Sequence, residues 1–187
     1  MGDITLETLE SAAQGDIGAF EEVYKRISGF VYNVALRITR NNVDAQEVTQ
    51  DVFMKIYHKL KEFQFRSEFK TWVYRVTVNT AINYYRKSAR DDKGRVDYDG
   101  VIDSSPGGAS TAENAIQKDN EAMLNSLLGQ LSPEHKACLV LRELEGLSYQ
   151  QIAVVLKVPV NTVRSRLKRA RQALLEKAGK AQVNDAL

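Results

Sequence analysis

Apolar residues recur every three or four positions along most of the chain, which is the spacing of one buried face of an α-helix. No stretch alternates between apolar and polar residues as a half-buried strand does. The sequence therefore predicts an all-α protein. In its first half the pattern predicts four helices, over residues 4–14, Ile17 to about Thr39, Asp44 to about Glu62, and about Glu68 to Ala89.

Residues suited to helix ends separate these segments. Gly15 follows the first helix, and Asp16 is predicted to cap the second, because its short side chain can accept a hydrogen bond from a free backbone amide. Asn41-Asn42 interrupts the second pattern, and Asp44 is predicted to cap the third helix in the same way.

Between residues 88 and 117 the composition changes to Gly, Pro and Asp, with few large apolar side chains. Such a segment has little core of its own, and it predicts a flexible acidic linker over residues 90–117. At most ~3.5 Å per residue, the ends of this linker could lie about 100 Å apart. The predicted architecture is two small helical domains, residues 1–89 and 118–187, joined by the linker.

The C-terminal domain carries the pattern of a helix-turn-helix. Ser148 and Gln151 are predicted to form a capping box at the start of one helix, and a turn at residues 157–159 follows. A second helix is predicted from Val160 to about Glu176, and small Ala153 lies where the two helices must approach closely. The inward stripe of the second helix is predicted to comprise Val163, Leu167, Ala170 and Leu174.

The opposite side of that second helix is polar and basic. Five cationic residues fall within positions 164–171, and Arg and Lys can contact phosphates or donate to guanine edges in the major groove. A solvated face on an ordinary helical hairpin is the alternative. The residues predicted to contact DNA are Asn161, Thr162, Arg164, Ser165, Lys168, Arg169 and Arg171.

This domain resembles region four of bacterial sigma factors, most closely of the extracytoplasmic-function class, over Leu131–Pro133, Leu141–Ala153 and Thr162–Arg171. The resemblance implies that the second helix binds the −35 promoter element and that the domain docks on the flap of the polymerase beta subunit. Two positions depart from the family pattern, since Asn161 replaces a common Gly and Pro159 replaces a common capping Ser. Pro is tolerated at a helix start, but the hydroxyl cap is lost.

The helix predicted from Asp44 divides into an apolar and a polar half. From periodicity alone it is an ordinary amphipathic surface helix. Its run Asp44–Phe53 nevertheless resembles region two of sigma factors, with Thr49 at a position that is more often apolar. The resemblance implies that the polar half binds the clamp helices of the polymerase beta-prime subunit through Asp44, Glu47, Gln50, Asp51 and Lys55.

Nine of the fifteen aromatic residues fall between residues 53 and 85. Most such clusters are core, and the residues assigned there are Phe53, Phe69, Tyr74, Tyr84 and Tyr85. The helix from Glu68 also presents one narrow stripe of Trp72, Arg75, Asn79, Asn83, Arg86 and Arg90. An aromatic ring, amides and guanidiniums on one face could stack unpaired bases and bind phosphates. The alternative is a polar face whose Trp72 is covered by a neighbouring loop.

A further resemblance favours nucleic acid for this stripe. Phe63, the run Phe69–Val76 and the polar residues beyond it resemble the extracytoplasmic-function region that melts and reads the −10 element. Asn79 is the leading candidate to read a base, and capture of a flipped base costs a few kcal/mol of unstacking. The resemblance implies contacts to melted DNA by Phe63, Gln64, Phe65, Arg66, Trp72, Arg75, Asn79, Asn83 and Arg86.

Charge and composition narrow the function classes. The formal net charge of +2 divides into +1 for residues 1–87, −3 for residues 88–117 and +4 for residues 118–187, so the basic excess lies in the predicted DNA-binding domain.

Cys138 is the sole cysteine, which excludes an intrachain disulfide framework and predicts a small core residue. No P-loop, dinucleotide glycine signature or His-Glu-x-x-His motif is present, so we expect no enzyme, cofactor or metal. No secretory signal or apolar run of membrane-spanning length is found, which predicts a cytoplasmic protein.

Together these features predict a sigma factor resembling the extracytoplasmic-function class, which binds core RNA polymerase and promoter DNA. The resemblance implies control by a separate anti-sigma factor, which suits the lack of an autoinhibitory N-terminal region, and it implies a linker that runs through the RNA exit channel. The alternative is a helix-turn-helix regulator with an N-terminal helical sensor or dimerisation domain. The sequence leaves open whether the two domains of the free protein pack together.

Overall fold

The structure is a computed structural model of the 187-residue chain, and it describes residues 4–63, 68–91, 128 and 131–184. Every regular element within those residues is helical, which confirms the predicted all-α fold class. Most of the predicted linker lies outside the described residues, so the domain boundaries stay predictions.

Four helices form the N-terminal half: α1 Leu6–Ala13, α2 Ile17–Thr39, α3 Asn42–Lys59 and α4 Phe69–Asp91. A 3-10 turn at Leu60–Glu62 follows α3 directly. The C-terminal half contains α5 Pro133–Leu139, a π-helical turn Val140–Leu144, α6 Tyr149–Leu156 and α7 Val160–Asn184. The sequence pattern does not predict the π-helical turn, and α7 continues well beyond its predicted end near Glu176.

Helix α3 begins at a different cap from the one predicted. Asn41 Oδ1 accepts hydrogen bonds from the backbone N–H groups of Val43 at 2.8 Å and Asp44 at 3.1 Å, so the prediction of Asp44 as the cap is wrong. Asp44 lies instead in the first turn, where the helix dipole favours a negative charge. The predicted cap of α2 is confirmed, because Asp16 Oδ1 accepts from the N–H of Ala19 at 2.8 Å.

The N-terminal half is a bundle in which α2, α3 and α4 pack against one another and α1 packs against α2. Its centre is formed by the apolar stripes that the periodicity predicts. Full burial of each such side chain stabilises the fold by about 1.5–3 kcal/mol. The buried residues of α2 and α3 include Val23, Ile27, Val31, Val34, Ile38, Val48, Val52 and Ile56.

The two halves pack together into one body. Helix α4 contacts α5 and α6 as well as α2 and α3, and one apolar cluster extends from Val23 of α2 to Leu167 of α7. Helix α4 can join both halves because buried residues occupy most of its circumference, among them Val73, Tyr74, Thr77, Val78 and Ala81. The protein is therefore compact in this structure, which the sequence alone leaves open.

Candidate nucleic-acid interface

Local hydrogen bonds build the predicted helix-turn-helix from α6 and α7. Ser148 Oγ accepts from the N–H of Gln151 at 3.2 Å, and Gln151 Oε1 accepts from the N–H of Ser148 at 2.8 Å, which completes the capping box. Lys157 turns the chain in a left-handed conformation with a φ of 53°. Ala153 and Val163 are both buried, since the small alanine allows α6 and α7 to approach closely.

The missing hydroxyl cap at Pro159 does not disturb the start of α7. The carbonyl of Pro159 accepts from the N–H groups of Thr162 at 2.9 Å and Val163 at 3.2 Å. The N–H of Thr162, which a side-chain cap would otherwise satisfy, therefore has a backbone acceptor. Helix α7 thus begins regularly despite this departure from the family pattern.

The basic face of α7 is accessible over residues 161–171. Arg164 Nη1 donates to Asn161 Oδ1 at 3.1 Å, so the asparagine that replaces the common glycine orients an arginine at the start of the helix. Ser165 Oγ donates to the carbonyl of Thr162 at 3.0 Å, and Thr162 is half-buried. The other predicted contact residues are all exposed: Asn161, Arg164, Ser165, Lys168, Arg169 and Arg171.

Arg171 differs from its neighbours because another side chain holds it. Its Nη2 lies 2.6 Å from Glu143 Oε1, which the π-helical turn presents beside α7. The hydrogen bond to Glu143, followed by one to Tyr149, raises the pKa of Arg171 above its ordinary value. A shallow groove on the same side is lined by Tyr149, Arg164, Lys168, Arg171, Gln172 and Leu175.

Trp72 lies in an aromatic cluster at the start of α4. Its ring centroid is 5.1 Å from that of Phe63 and 5.8 Å from that of Phe69, and the rings are tilted to each other. Trp72 is therefore half-buried rather than free on both faces of its ring. This arrangement fits both predictions made for Trp72, a ring covered by neighbouring residues and a ring on which an unpaired base stacks.

The remaining stripe residues of α4 are divided between half-buried and exposed positions. Arg75 and Asn79 are half-buried, and the Nε of Arg75 is buried without a hydrogen-bond partner among the described residues. Asn83 and Arg86 are exposed, and Arg86 forms an ion pair with Glu134 of α5. The predicted contacts Gln64, Phe65 and Arg66 and the side chain of Arg90 lie outside the described residues.

The assignment of five aromatic residues to the core is only partly correct. Phe53 and Tyr74 are buried, whereas Phe69, Tyr84 and Tyr85 are half-buried. Each exception has a partner near the surface: Phe69 packs against Trp72, Tyr84 bonds to two carboxylates of α3, and the ring of Tyr85 lies below Lys136.

The polar half of α3 is bound to α4 by two bridges. Tyr84 Oη donates to Glu47 Oε2 at 2.7 Å and also lies 3.2 Å from Asp44 Oδ1. Burial and these two carboxylates raise the pKa of Tyr84 above its ordinary value, so its hydroxyl stays a donor. Lys55 Nζ donates to Thr80 Oγ1 at 3.0 Å. The face predicted to bind polymerase is thus connected directly to the helix predicted to bind DNA.

The same half of α3 also exposes apolar residues that sequence reasoning missed. Val43, Met54 and Tyr57 have exposed fractions of 62%, 58% and 48%, and they lie on the same stripe of the helix as the exposed residues Glu47 and Gln50. The signal was available in the sequence, because positions 43, 47, 50, 54 and 57 follow helical spacing. A mixed acidic and apolar stripe of this kind is typical of a surface that another protein covers.

Other kinds of site find no support in the described part of the chain. No group of three or more His, Cys, Asp or Glu side chains there could hold a metal ion. No helix within those residues is long and apolar enough to cross a membrane. Cys138 is buried as predicted, and burial raises the pKa of its thiol to about 11, so it is an unreactive core residue.

Comparison with protein families gives two matches that follow the order of the two halves. Residues 23–91 match the family Sigma-70 region 2, which includes most of α2 and all of α3 and α4. Residues 121–174 match Sigma-70, region 4, which includes α5, α6 and most of α7.

Curated relatives match over nearly the full length. The RNA polymerase sigma-H factor of Pseudomonas aeruginosa is 34% identical over 176 residues, covering 90% of each chain. The ECF RNA polymerase sigma-E factor of Haemophilus influenzae is 34% identical over 177 residues, covering 90% of this chain and 92% of the relative.

Two solved structures share the fold. CnrH, in complex with the cytosolic domain of CnrY, is 24% identical with a TM-score of 0.65, covering 93% of this chain and 96% of that one. The sigma factor RpoE of Bartonella quintana, in complex with the anti-sigma factor NepR, is 22% identical with a TM-score of 0.67, covering 86% of this chain and 96% of that one.

Proposed function

The chain belongs to the extracytoplasmic-function class of RNA polymerase sigma factors, and we propose that α7 reads the −35 element as duplex while α4 holds the melted −10 element. As a sigma factor the chain binds core RNA polymerase and promoter DNA, and it directs where transcription begins. Such a subunit supplies specificity to the polymerase and is not itself an enzyme. The alternative, a helix-turn-helix regulator with an N-terminal helical sensor or dimerisation domain, is wrong, because residues 23–91 match Sigma-70 region 2.

The exposed basic face of α7 is the observation that carries the −35 assignment. Arg164, Lys168 and Arg169 are exposed on one helix that packs against α6, which is the arrangement that fits a major groove. Phosphate contacts by these cations position the helix, and base-edge contacts near its start give the sequence preference.

The −10 assignment is supported by the chemistry of α4. Asn79 and Asn83 offer amide donors and acceptors on the same helix face as Arg86, and the aromatic cluster of Phe63, Phe69 and Trp72 lies at one end of that face. A base leaving the duplex needs a stacking surface and partners for its edge, and this face supplies both.

The mixed stripe of α3 supports binding to the clamp helices of the polymerase beta-prime subunit. Glu47, Gln50 and Asp51 are exposed beside apolar Met54 and Tyr57, so a partner with basic and apolar side chains would fit this face. Docking on the beta flap through the C-terminal half is proposed on the resemblance of that half to region four.

An anti-sigma factor is the proposed regulatory partner. The sigma factor RpoE shares this fold and was solved in complex with the anti-sigma factor NepR. Because core polymerase and its DNA template are cytoplasmic in bacteria, we also propose that this chain acts in the cytoplasm.

Transcription from purified core polymerase tests the proposal. Adding this chain to core polymerase and a library of linear promoter fragments is expected to yield transcripts from a defined subset of fragments. Alignment of those fragments should reveal two conserved elements about 25 base pairs apart, one read by each half. If no fragment gives a specific transcript, or if only one element emerges, the proposed division between α7 and α4 is wrong.

A further inference from the structure

We propose that Tyr84 of α4 is a positioning residue for polymerase binding, because its hydroxyl holds the carboxylates of Asp44 and Glu47 on α3 in the arrangement that core RNA polymerase binds. The inference rests on the proposed function, in which the polar half of α3 contacts the polymerase. The Tyr84 bridge comprises this hydroxyl and the two carboxylates. Tyr84 itself belongs to neither the proposed polymerase contact nor the proposed DNA contact.

One tyrosine hydroxyl reaches both carboxylates. Tyr84 Oη donates to Glu47 Oε2 at 2.7 Å and lies 3.2 Å from Asp44 Oδ1. Asp44 and Glu47 are three residues apart on α3, so their side chains are neighbours on the helix surface. The hydroxyl therefore fixes the position of one carboxylate relative to the other.

The benefit to binding comes from order that exists before the partner arrives. Glu47 is exposed on α3, and a long exposed side chain loses rotamer freedom when a partner immobilises it. Tyr84 has only two side-chain torsions and is half-buried, so it offers a fixed donor. Because the bridge restrains Glu47 during folding, less order has to be imposed when the polymerase binds.

The bridge leaves Glu47 able to bind a partner. A carboxylate has about four acceptor positions on its two oxygens, and the hydroxyl of Tyr84 donates to Oε2 alone. The hydroxyl is also neutral, so it does not replace a basic side chain of the polymerase. Burial, followed by the hydrogen bond to Glu47, raises the pKa of Tyr84 above its ordinary value, which keeps the donor protonated at neutral pH.

A second contact from α4 supports the same role for this helix. Lys55, another residue of the proposed polymerase contact, donates through Nζ to Thr80 Oγ1 at 3.0 Å. Thr80 is buried, so its hydroxyl is a fixed acceptor, as the hydroxyl of Tyr84 is a fixed donor. Helix α4 thus restrains acidic side chains near the start of α3 and a basic side chain near its end.

Removal of one hydroxyl tests the proposal. Tyr84→Phe keeps the ring and the net charge but removes the donor of the bridge. Tyr32→Phe is the matched control, because Tyr32 Oη donates to Oδ1 of Asn42 at 3.2 Å, and Asn42 belongs to α3 but not to the proposed polymerase contact. Circular dichroism and urea denaturation check that each full-length variant is folded under the conditions of the binding assay.

Affinity for purified core polymerase is the first readout, measured by fluorescence titration of the N-terminally labelled full-length chain. Tyr84→Phe should weaken binding about three- to tenfold, since restraint of one or two long side chains is lost. Tyr32→Phe should change the affinity by less than about twofold. Wild-type or tighter binding by Tyr84→Phe would overturn the proposal, and tighter binding would mean that the hydroxyl competes with the polymerase.

A double-mutant cycle separates positioning from a structural role. Glu47→Ala should weaken polymerase binding, and adding Tyr84→Phe to that chain should weaken it by less than about twofold more, because the principal acceptor of the hydroxyl is gone. The full loss in both backgrounds would show that Tyr84 acts through the fold and would overturn positioning. Failure of the proposed function would look different, since Glu47→Ala by itself would then leave the affinity for polymerase unchanged.

Discussion

The two surfaces proposed to bind DNA differ in how far the protein itself already occupies them. On α7, Arg164, Lys168 and Arg169 stand in solvent, and the hydrogen bonds of Arg164 and Ser165 lie within the same helix turn. On α4, Trp72 packs in an aromatic cluster, and Arg86 is paired with Glu134 from the other half.

The difference follows from what each surface has to bind. Duplex DNA presents its grooves and phosphates without prior change, so a rigid exposed helix can read it directly. A melted strand must first leave the stack, and the residues that hold it can be covered by the protein until then. The contrast predicts that α7 binds as it stands, whereas α4 must exchange internal partners for nucleic acid.

The largest expected effect is that of Trp72→Ala. Loss of its stacking surface should reduce open-complex formation about 10- to 100-fold, since base–aromatic stacking contributes about 1–3 kcal/mol. Permanganate reactivity of unpaired thymines reports this step, and binding to a duplex −35 fragment should be nearly unchanged. Trp72→Phe should retain much of the activity. Equal loss of duplex binding and melting would point to misfolding and erase the contrast between α4 and α7.

Next in size is Arg164→Ala on α7. Duplex −35 affinity should fall about 5- to 100-fold, corresponding to ~1–3 kcal/mol, and the salt slope of binding should decrease by about one. Fluorescence anisotropy over a range of salt concentrations measures both quantities. Lys25→Ala removes an exposed cation of α2, outside the proposed α7 face, and serves as the control. An unchanged slope and affinity would remove Arg164 from the interface.

A pH titration tests the buried contact between the two halves. Burial, followed by the charge of Arg40, lowers the pKa of Lys136 to about 8 in the folded chain, below its ordinary value of 10.5. The folded chain therefore binds fewer protons than the unfolded chain between pH 8 and 10.5, and folding becomes more favourable as pH rises through that range. Between pH 7.5 and 9.5 the free energy of unfolding should increase by roughly 2 kcal/mol from this group, which urea denaturation at each pH measures. Lys136→Met should abolish this pH dependence, and a similar dependence in that variant would assign it to other groups.

The smallest expected effect concerns Arg171, the one residue of the proposed α7 face that is held by a carboxylate from outside its helix. Glu143→Gln removes that carboxylate, so Arg171 should become available to a phosphate. Duplex affinity should increase about twofold to threefold, because exposed ion pairs contribute only ~0.2–1 kcal/mol. Weaker binding would mean that Glu143 orients Arg171 for DNA rather than competing with it.

Sequence reasoning was most accurate where a feature depends on neighbours along the chain. The capping box of Ser148 and Gln151 and the buried stripe of Val163 and Leu167 on α7 follow from spacings of three and four residues. It was wrong at Asp44, because Asn41 is an equally suitable cap that precedes it and binds the amide of Asp44. Two candidates three residues apart cannot be ranked by residue type alone.

By itself, then, the sequence determined the helices, the accessible basic face of α7 and the family, because periodicity and short-range hydrogen bonds are encoded within a few residues. The tertiary structure alone decided the state of the α4 face and the packing of the two halves. Those features depend on pairs such as Arg86 with Glu134 and Lys136 with Ile38, 48 and 98 residues apart in the chain. Contacts at such separations form only when the whole chain has folded, since no local pattern specifies which distant residue will meet a given side chain.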